Sequence, residues 1–179
     1  MEEVIHLIPK RFVDNRGFFS ETYSRHKYTD FGISVDFVQD NQSLSRDVGT
    51  IRGLHFQGPT AAQGKLVRCG RGAIFDVAVD IRLGSPSYGH WVGYELSAEN
   101  GHQLYIPVGF AHGFMTLEPD SEIAYKCTDY YAPETEGAVL WDSCGIKWPL
   151  SVDPLLSDKD IIAPMFSDLK SPFIYGENS

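Results

Sequence analysis

GAIFDVAVDIR, residues 72–82, decides the fold class because its side chains alternate with a period of two. Ile74, Asp76, Ala78 and Asp80 fall on one face of an extended segment, and Phe75, Val77, Val79 and Ile81 fall on the other. An apolar face opposed to one bearing two carboxylates reads as a half-buried strand. Outward from it, HWVGYEL (90–96), HQLYIP (102–107) and EIAYKCTDYY (122–131) are further short apolar or alternating runs, separated by Gly, Pro, Ser and Asn. Many short strands at near-even spacing predict an all-β sandwich or barrel. Helical pattern is confined to ETYSRHKYTDFG (21–32), which Gly32 would stop, and LLSDKDIIAPMF (155–166), so short peripheral helices on a sheet are expected.

The chain has 179 residues, 42% of them hydrophobic, which is enough for a real core and points to one domain over 1–179. No stretch has the length or apolarity of a signal peptide or a membrane span, so a cytoplasmic protein without a membrane partner is expected. Cys69, Cys127 and Cys144 form no CxxC pair and leave an odd thiol, which argues against a disulfide framework or thiolate cluster. A formal net charge of −9 opposes adsorption to nucleic acid. Any phosphate must therefore be gripped locally, by cations placed beside glycine or aromatic residues.

IRGLHFQ (51–57) offers such a place. A histidine in an apolar run is more often a core residue than a catalyst. His55, however, has Arg52 three residues before it, Gln57 on its own side of the strand, and QGKLVRCGRG with Lys65 downstream. Arg52 sits among Ile51, Gly53 and Leu54, and a cation in that setting wants an anion.

A second histidine, His112, lies in GHQLYIPVGFAHGF, where glycine, five residues, proline, one residue, glycine, two residues and histidine follow in order. The spacing resembles the second motif of the cupin superfamily of small jelly-roll barrels, with Thr116 where asparagine is usual. Metal-binding cupins supply two histidines and a glutamate from their first motif, the ligands a divalent transition metal prefers. LHFQGPTAAQGK (54–65) has one histidine and no glutamate, so no metal is expected.

FVDNRGFFSE, VQDNQSLS, IRGLHFQ, QGKLVR, FDVAVDIR, GSPSYG, IPVGFAHGF, YKCTDYY, WDSCGIKWP and LLSDKD follow one another between residues about 10 and 165. In that order they resemble the dTDP-4-dehydrorhamnose 3,5-epimerase family, leaving 166–179 as an uninformative tail. The resemblance implies a cupin-type jelly-roll barrel and inversion at C3 and C5 of dTDP-4-keto-6-deoxy-D-glucose, both carbons being acidified by the C4 ketone. Such chemistry needs a base on one face, an acid on the other and a donor to the enolate oxygen, but no cofactor.

On the family pattern His55 is the base, suited by an ordinary pKa of about 6.5 that a carboxylate partner would raise. Asp158 is that partner, although SDKD alone equally suits a helix N-cap. Tyr125 is the acid, although a strand aromatic is the ordinary reading. Lys65 faces the C4 oxygen, and His112 contacts the sugar or orients its neighbours. Arg52 faces the diphosphate with Lys159 as a second cation. Phe19 and Tyr131 resemble the aromatic pair that stacks on thymine, and Arg16, Glu21, Gln39 and Asn41 the polar groups around base and ribose. Family members place the Arg16–Glu21 segment in a partner's site, which implies a homodimer. Three other readings stay open from sequence: an epimerase acting at C3 only, a metal-dependent cupin oxygenase, and a non-catalytic sugar-binding jelly roll.

Overall fold

The computed structural model describes residues 1, 3–149 and 151–176. Its strands, in chain order, are β1 (Ile5–Leu7), β2 (Arg11–Asp14), β3 (Gly17–Ser20), β4 (Gln39–Ser45), β5 (Ile51–Gln57), β6 (Lys65–Arg71) and β7 (Ala73–Asp80). They continue with β8 (Trp91–Ser97), β9 (Gln103–Ile106), β10 (Phe110–Thr116), β11 (Ser121–Cys127) and β12 (Glu136–Ala138). Helices α1 (Arg25–Asp30) and α2 (Asp158–Ile161) are short. Two five-stranded antiparallel sheets, β1-β9-β6-β11-β4 and β12-β5-β10-β7-β8, carry the fold, and β2 and β3 form a separate ribbon.

The sheets face each other across a core of Val67, Ile74, Ala78, Leu104, Phe114 and Ile123, contributed by both. Each outer face is covered differently. Tyr28 of α1 packs with Ile33, Leu66 and Tyr105 on the first sheet. A six-residue helix is too short to hold by itself; Tyr28 ties it down, its hydroxyl lying 2.8 Å from Gln103 Oε1. The chain leaves α1 through Gly32 at φ +85°, the left-handed stop expected from sequence.

The strand over 72–82 is not half-buried. Val77, Val79 and Ile81 pack under Val139, Ile146 and Phe173 on the second sheet's outer side, while Ile74 and Ala78 face the inter-sheet core. The alternation was read correctly, but its acidic face points inward: Asp76 and Asp80 are both 0% exposed. Burial is tolerated because Asp80 accepts from Arg82, Ser85 and Ser87 at 2.6–3.0 Å and Asp76 from His112. The tail is part of this layer, since Phe173 is buried against Phe56 and Leu83 bridges Ile174. Residues 177–179 lie outside the described part of the chain.

One irregularity positions the site. His112 pairs with His55 and Phe114 with Arg52, so β5 spends three residues where β10 spends two. This bulge reverses the parity of the strand and turns Arg52 and His55, otherwise on opposite faces, toward the same side. Gly53 makes it possible at φ +119°, where a Cβ would stand 2.6 Å from the His112 carbonyl oxygen and 2.7 Å from Gly113 Cα. Gly84, at φ +81°, has open space around it. Gly53→Ala should therefore lose more than about 3 kcal/mol in urea unfolding, from strain plus a backbone clash, against about 1–2 kcal/mol for Gly84→Ala. Equal losses would show that the bulge does not depend on glycine.

Candidate active site

A cavity of about 680 Å³ opens between the sheets, with Arg52, His55 and His112 on one wall and Lys65 and Tyr125 on the other. Tyr131, Glu136, Lys159 and Asp160 also line it. Backbone bonds from Ile51 N to Leu155 O at 3.0 Å and from Leu155 N to Gly49 O at 3.1 Å fasten the segment that carries α2 beside the start of β5.

His55 Nε2 lies 2.6 Å from a carboxylate oxygen of Asp160, not Asp158. Ser157 is the N-cap of α2, and its hydroxyl accepts from Asp160 N and donates to Asp160 Oδ2 at 2.7 Å. The third residue of a capped turn folds back over the cap toward the sheet, whereas Asp158, the first, is exposed. The S-x-x-D spacing of Ser157 and Asp160 is a capping-box pattern, a signal that the sequence reading passed over. A carboxylate only accepts, so Nε2 carries the proton and Nδ1 keeps its lone pair.

Burial is the largest influence on His55 and draws its pKa below the ordinary histidine value; Asp160 pulls it up, and Lys159 and Lys65 pull it down again. Basicity is thus not raised overall, as a carboxylate partner alone would suggest, and the imidazole is neutral at neutral pH. Burial pushes the Tyr125 hydroxyl the other way, upward, with Cys127 adding and Arg52 opposing, so it keeps its proton. Burial lowers Lys65, with Cys127, Asp76 and Glu136 pulling it back. The cavity therefore holds a proton acceptor on one sheet and a proton donor on the other.

His112 stands opposite His55 in register and holds Asp76 Oδ1 at 2.7 Å through Nε2. Arg52 is braced by Ser45 Oγ at 3.0 Å and the Leu44 carbonyl at 3.2 Å, and among the described residues it has no carboxylate partner. Lys159 donates to Glu136 Oε1 at 2.9 Å. Glu136 was missed from sequence, because ETEGAV carries no motif and only the β12–β5 pairing brings it here. Gln57 does not line the cavity; it bonds the Tyr130 carbonyl and Ala132 N, fixing the turn that carries Tyr131.

Gln39 and Asn41 sit on β4 behind that rim. Gln39 accepts from Tyr131 N at 3.0 Å and donates to Asn41, which lines an adjoining cavity of about 320 Å³ that also touches Tyr125. Arg16, Phe19 and Glu21 are elsewhere. Arg16 pairs with Asp14 at 2.6 Å, Phe19 is 68% exposed on the ribbon, and Glu21 pairs with Lys27 at 2.7 Å. The structure does not bring them to the cavity of their own chain. Among the described residues no group of three His, Cys, Asp or Glu side chains is placed to hold a metal ion.

Comparison with known proteins gives this site its context. The chain is 54% identical to the dTDP-4-dehydrorhamnose 3,5-epimerase of Salmonella typhimurium over 91% of its own length and 90% of that protein's. A structure of dTDP-6-deoxy-D-glucose-3,5-epimerase from Legionella pneumophila in complex with dTDP-4-keto-L-rhamnose superposes with a TM-score of 0.90, at 47% identity, covering 94% of this chain and 90% of that one. A 3′-monoepimerase from Streptomyces bikiniensis in complex with dTDP-quinovose superposes at 0.86 but is 33% identical, over 92% of this chain and 84% of that one. The two facing sheets are accordingly a cupin-type jelly roll, with the short helices outside it. The family model described as dTDP-4-dehydrorhamnose 3,5-epimerase matches residues 1–168, and the chain belongs to that family.

Proposed function

We infer that this protein is an isomerase that inverts C3 and C5 of dTDP-4-keto-6-deoxy-D-glucose to give dTDP-4-keto-L-rhamnose. The observation that carries the mechanism is the His55–Asp160 hydrogen bond at 2.6 Å, facing Tyr125 and Lys65 across one cavity. His55 Nδ1 removes the proton beside the C4 ketone, while Asp160 holds the ring and balances the imidazolium that forms. Lys65 donates to the C4 oxygen as it becomes an enolate. Tyr125, from the facing sheet, returns a proton to the opposite face, and the same groups serve the second carbon because the enolate oxygen is shared. Balanced proton transfers of this kind need no redox group.

Arg52 supplies the diphosphate with a braced guanidinium, and Lys159 adds charge at the rim. Tyr131 offers one aromatic face to the base, with Gln39 and Asn41 behind it. The second face comes from Phe19 of a partner subunit, together with Arg16 and Glu21, in a homodimer. In support, the ribbon exposes Phe12 at 54%, Phe18 at 57% and Val13 at 78%, and a two-stranded ribbon is marginal without something to pack on. The three free thiols fit a cytoplasmic setting.

Three measurements test these roles. In deuterium oxide, His55→Ala should admit no deuterium at either carbon, whereas Tyr125→Phe should still exchange while forming no doubly inverted product. Asp160→Asn should lower kcat on the order of 10²–10⁴-fold through loss of the imidazole tautomer, and Asp158→Asn should leave it unchanged. The acid limb of Asp160→Asn should also move to lower pH: His55 works as the neutral base, activity is lost as pH falls through its pKa, and losing Asp160 lowers that pKa. Exchange confined to C3 in the wild type would instead identify a C3 epimerase.

Arg52→Ala should raise KM about tenfold or more and weaken dTDP inhibition, since its contact serves ground and transition states alike; Lys65→Ala should lower kcat about 10²–10³-fold. Unchanged KM in Arg52→Ala would remove it from the diphosphate. By light scattering the protein should weigh twice its 20.0 kDa chain. Phe12→Ser with Phe18→Ser should release monomers whose KM is raised, because Arg16 and Phe19 leave the partner's site; a wild-type monomer would sink the homodimer.

A further inference from the structure

Asp76 Oδ2 is a buried carboxylate oxygen with no hydrogen-bond partner among the described residues. Its sister oxygen is taken by His112 Nε2 at 2.7 Å, and the residue is 0% exposed. A buried acceptor left without a donor is costly, and a positive charge placed nearby offsets part of that cost without a direct hydrogen bond.

Lys65 is the complementary group. It comes from the facing sheet, and it forms no ion pair among the described residues. The titratable groups around it come from six elements: Asp76 on β7, Cys127 and Tyr125 on β11, Glu136 on β12, Lys159 and Asp160 on α2, His55 on β5 and His112 on β10. Their charges are not equivalent. Cys127 is a thiol that burial pushes upward and keeps neutral, and Glu136 is already paired with Lys159 at 2.9 Å. His55 is neutral in its working state. Asp160 is taken up by His55 and Ser157, so of the carboxylates acting on Lys65, Asp76 is the one that no lysine or arginine offsets among the described residues.

We propose that Asp76 is a positioning residue for epimerisation: anchored through His112, its free carboxylate oxygen is the counter-charge that keeps the Lys65 ammonium protonated inside the cavity. This rests on the reading of Lys65 as donor to the enolate oxygen. A donor buried to exclude water is pushed toward its neutral form by that same burial, and a neutral amine stabilises an enolate far less. A carboxylate in direct contact would hold the ammonium away from the sugar. One fixed behind His112, beyond ion-pair distance, supports the charge and leaves the N–H groups free for the C4 oxygen.

Asp76→Asn, which keeps the shape and removes the charge, tests this in the wild type and in Lys65→Met. Rates are followed by solvent deuterium exchange at C3, which reads turnover far below the reach of a coupled assay. In the wild type, kcat should fall about tenfold, a fraction of what a direct donor is worth, while KM and inhibition by dTDP change less than twofold. The alkaline limb should move to lower pH, because the working lysine is protonated, activity is lost as pH rises through its pKa, and losing Asp76 lowers that pKa. In Lys65→Met the same change should cost less than twofold.

An equal loss in both backgrounds, or an unmoved alkaline limb, would make Asp76 merely structural and overturn the proposal. If Lys65→Met alone kept the wild-type kcat and alkaline limb, the donor role of Lys65 would fall, and the proposal with it. Should Asp76→Asn not fold, Asp76→Asn with His112→Gln removes charge and partner together; its alkaline limb must shift in the same direction, and a limb left in place refutes the counter-charge.

Discussion

Carboxylates inside a sheet-on-sheet core are tolerable only when each is tied to a donor that is itself held in place. This constraint organises the molecule. Asp80 ties Arg82 and, through it, Glu3 to the rim of β7, and Ser85 and Ser87 complete its shell. Burial pushes its carboxyl up, but those hydrogen bonds outweigh the burial and hold it down at about 2. Its contribution to stability is present above the ordinary carboxylate range and is lost only as pH falls toward 2. Asp160 and Asp76 obey the same rule with histidines as donors, and there the tied groups become chemistry. A carboxylate on Nε2 of His55 leaves Nδ1 as a base. The same arrangement at His112 leaves one oxygen of Asp76 buried without a hydrogen-bond partner among the described residues.

Backbone geometry decides which of these groups can meet. In a regular strand Arg52 and His55 would face opposite sides, one toward the cavity and the other away. The extra residue at Gly53 puts Arg52 and His55, the cation and base of the proposed reaction, on one wall, and the β10 partner strand sets His112 beside His55. The other wall belongs to a different sheet, so the proposed acid, Tyr125, and base, His55, reach the cavity from two sides. Two-sided access is what inversion demands, and it follows from the sandwich architecture.

Legibility in the sequence divided along the same lines. Period-two alternation marked the strands, and Gly32 marked the end of α1, because both signals are local. Whether an alternating acidic face meets water or the core is not local. Asp76 looked solvent-facing because His112, its donor, reaches it only once β7 and β10 pair, and Asp80 because its donors Arg82, Ser85 and Ser87, although close in sequence, carry no pattern that marks burial. The choice between Asp158 and Asp160 turned on which residue of a capped turn folds back toward the sheet. Ser157 and Asp160 carried that information as a capping box, while family pattern pointed two residues too early. Glu136 had no sequence signal at all, since it reaches the cavity through a three-residue edge strand. Arg16, Phe19 and Glu21 show the reverse situation: motif order singled them out, and the structure leaves them outside the cavity of their own chain.

An acidic protein that handles a nucleoside diphosphate must resolve a conflict between its average charge and its local charge. At −9 the long-range field repels the ligand, but over more than about 10 Å that field is screened at physiological salt. Within the cavity the balance is different. Among the described residues Arg52 and Lys65 have no carboxylate partner, and the Lys159 charge is shared with Glu136. Arg52 and Lys159 are exposed and Lys65 is half-buried, so it is their convergence on one cavity that sets them against the dispersed carboxylates outside it. Burial depresses His55 and Lys65 and raises Tyr125. On the roles proposed above, anion recognition and proton transfer share one cavity, and its burial tunes the second: opening it to solvent would return His55, Lys65 and Tyr125 toward their ordinary strengths.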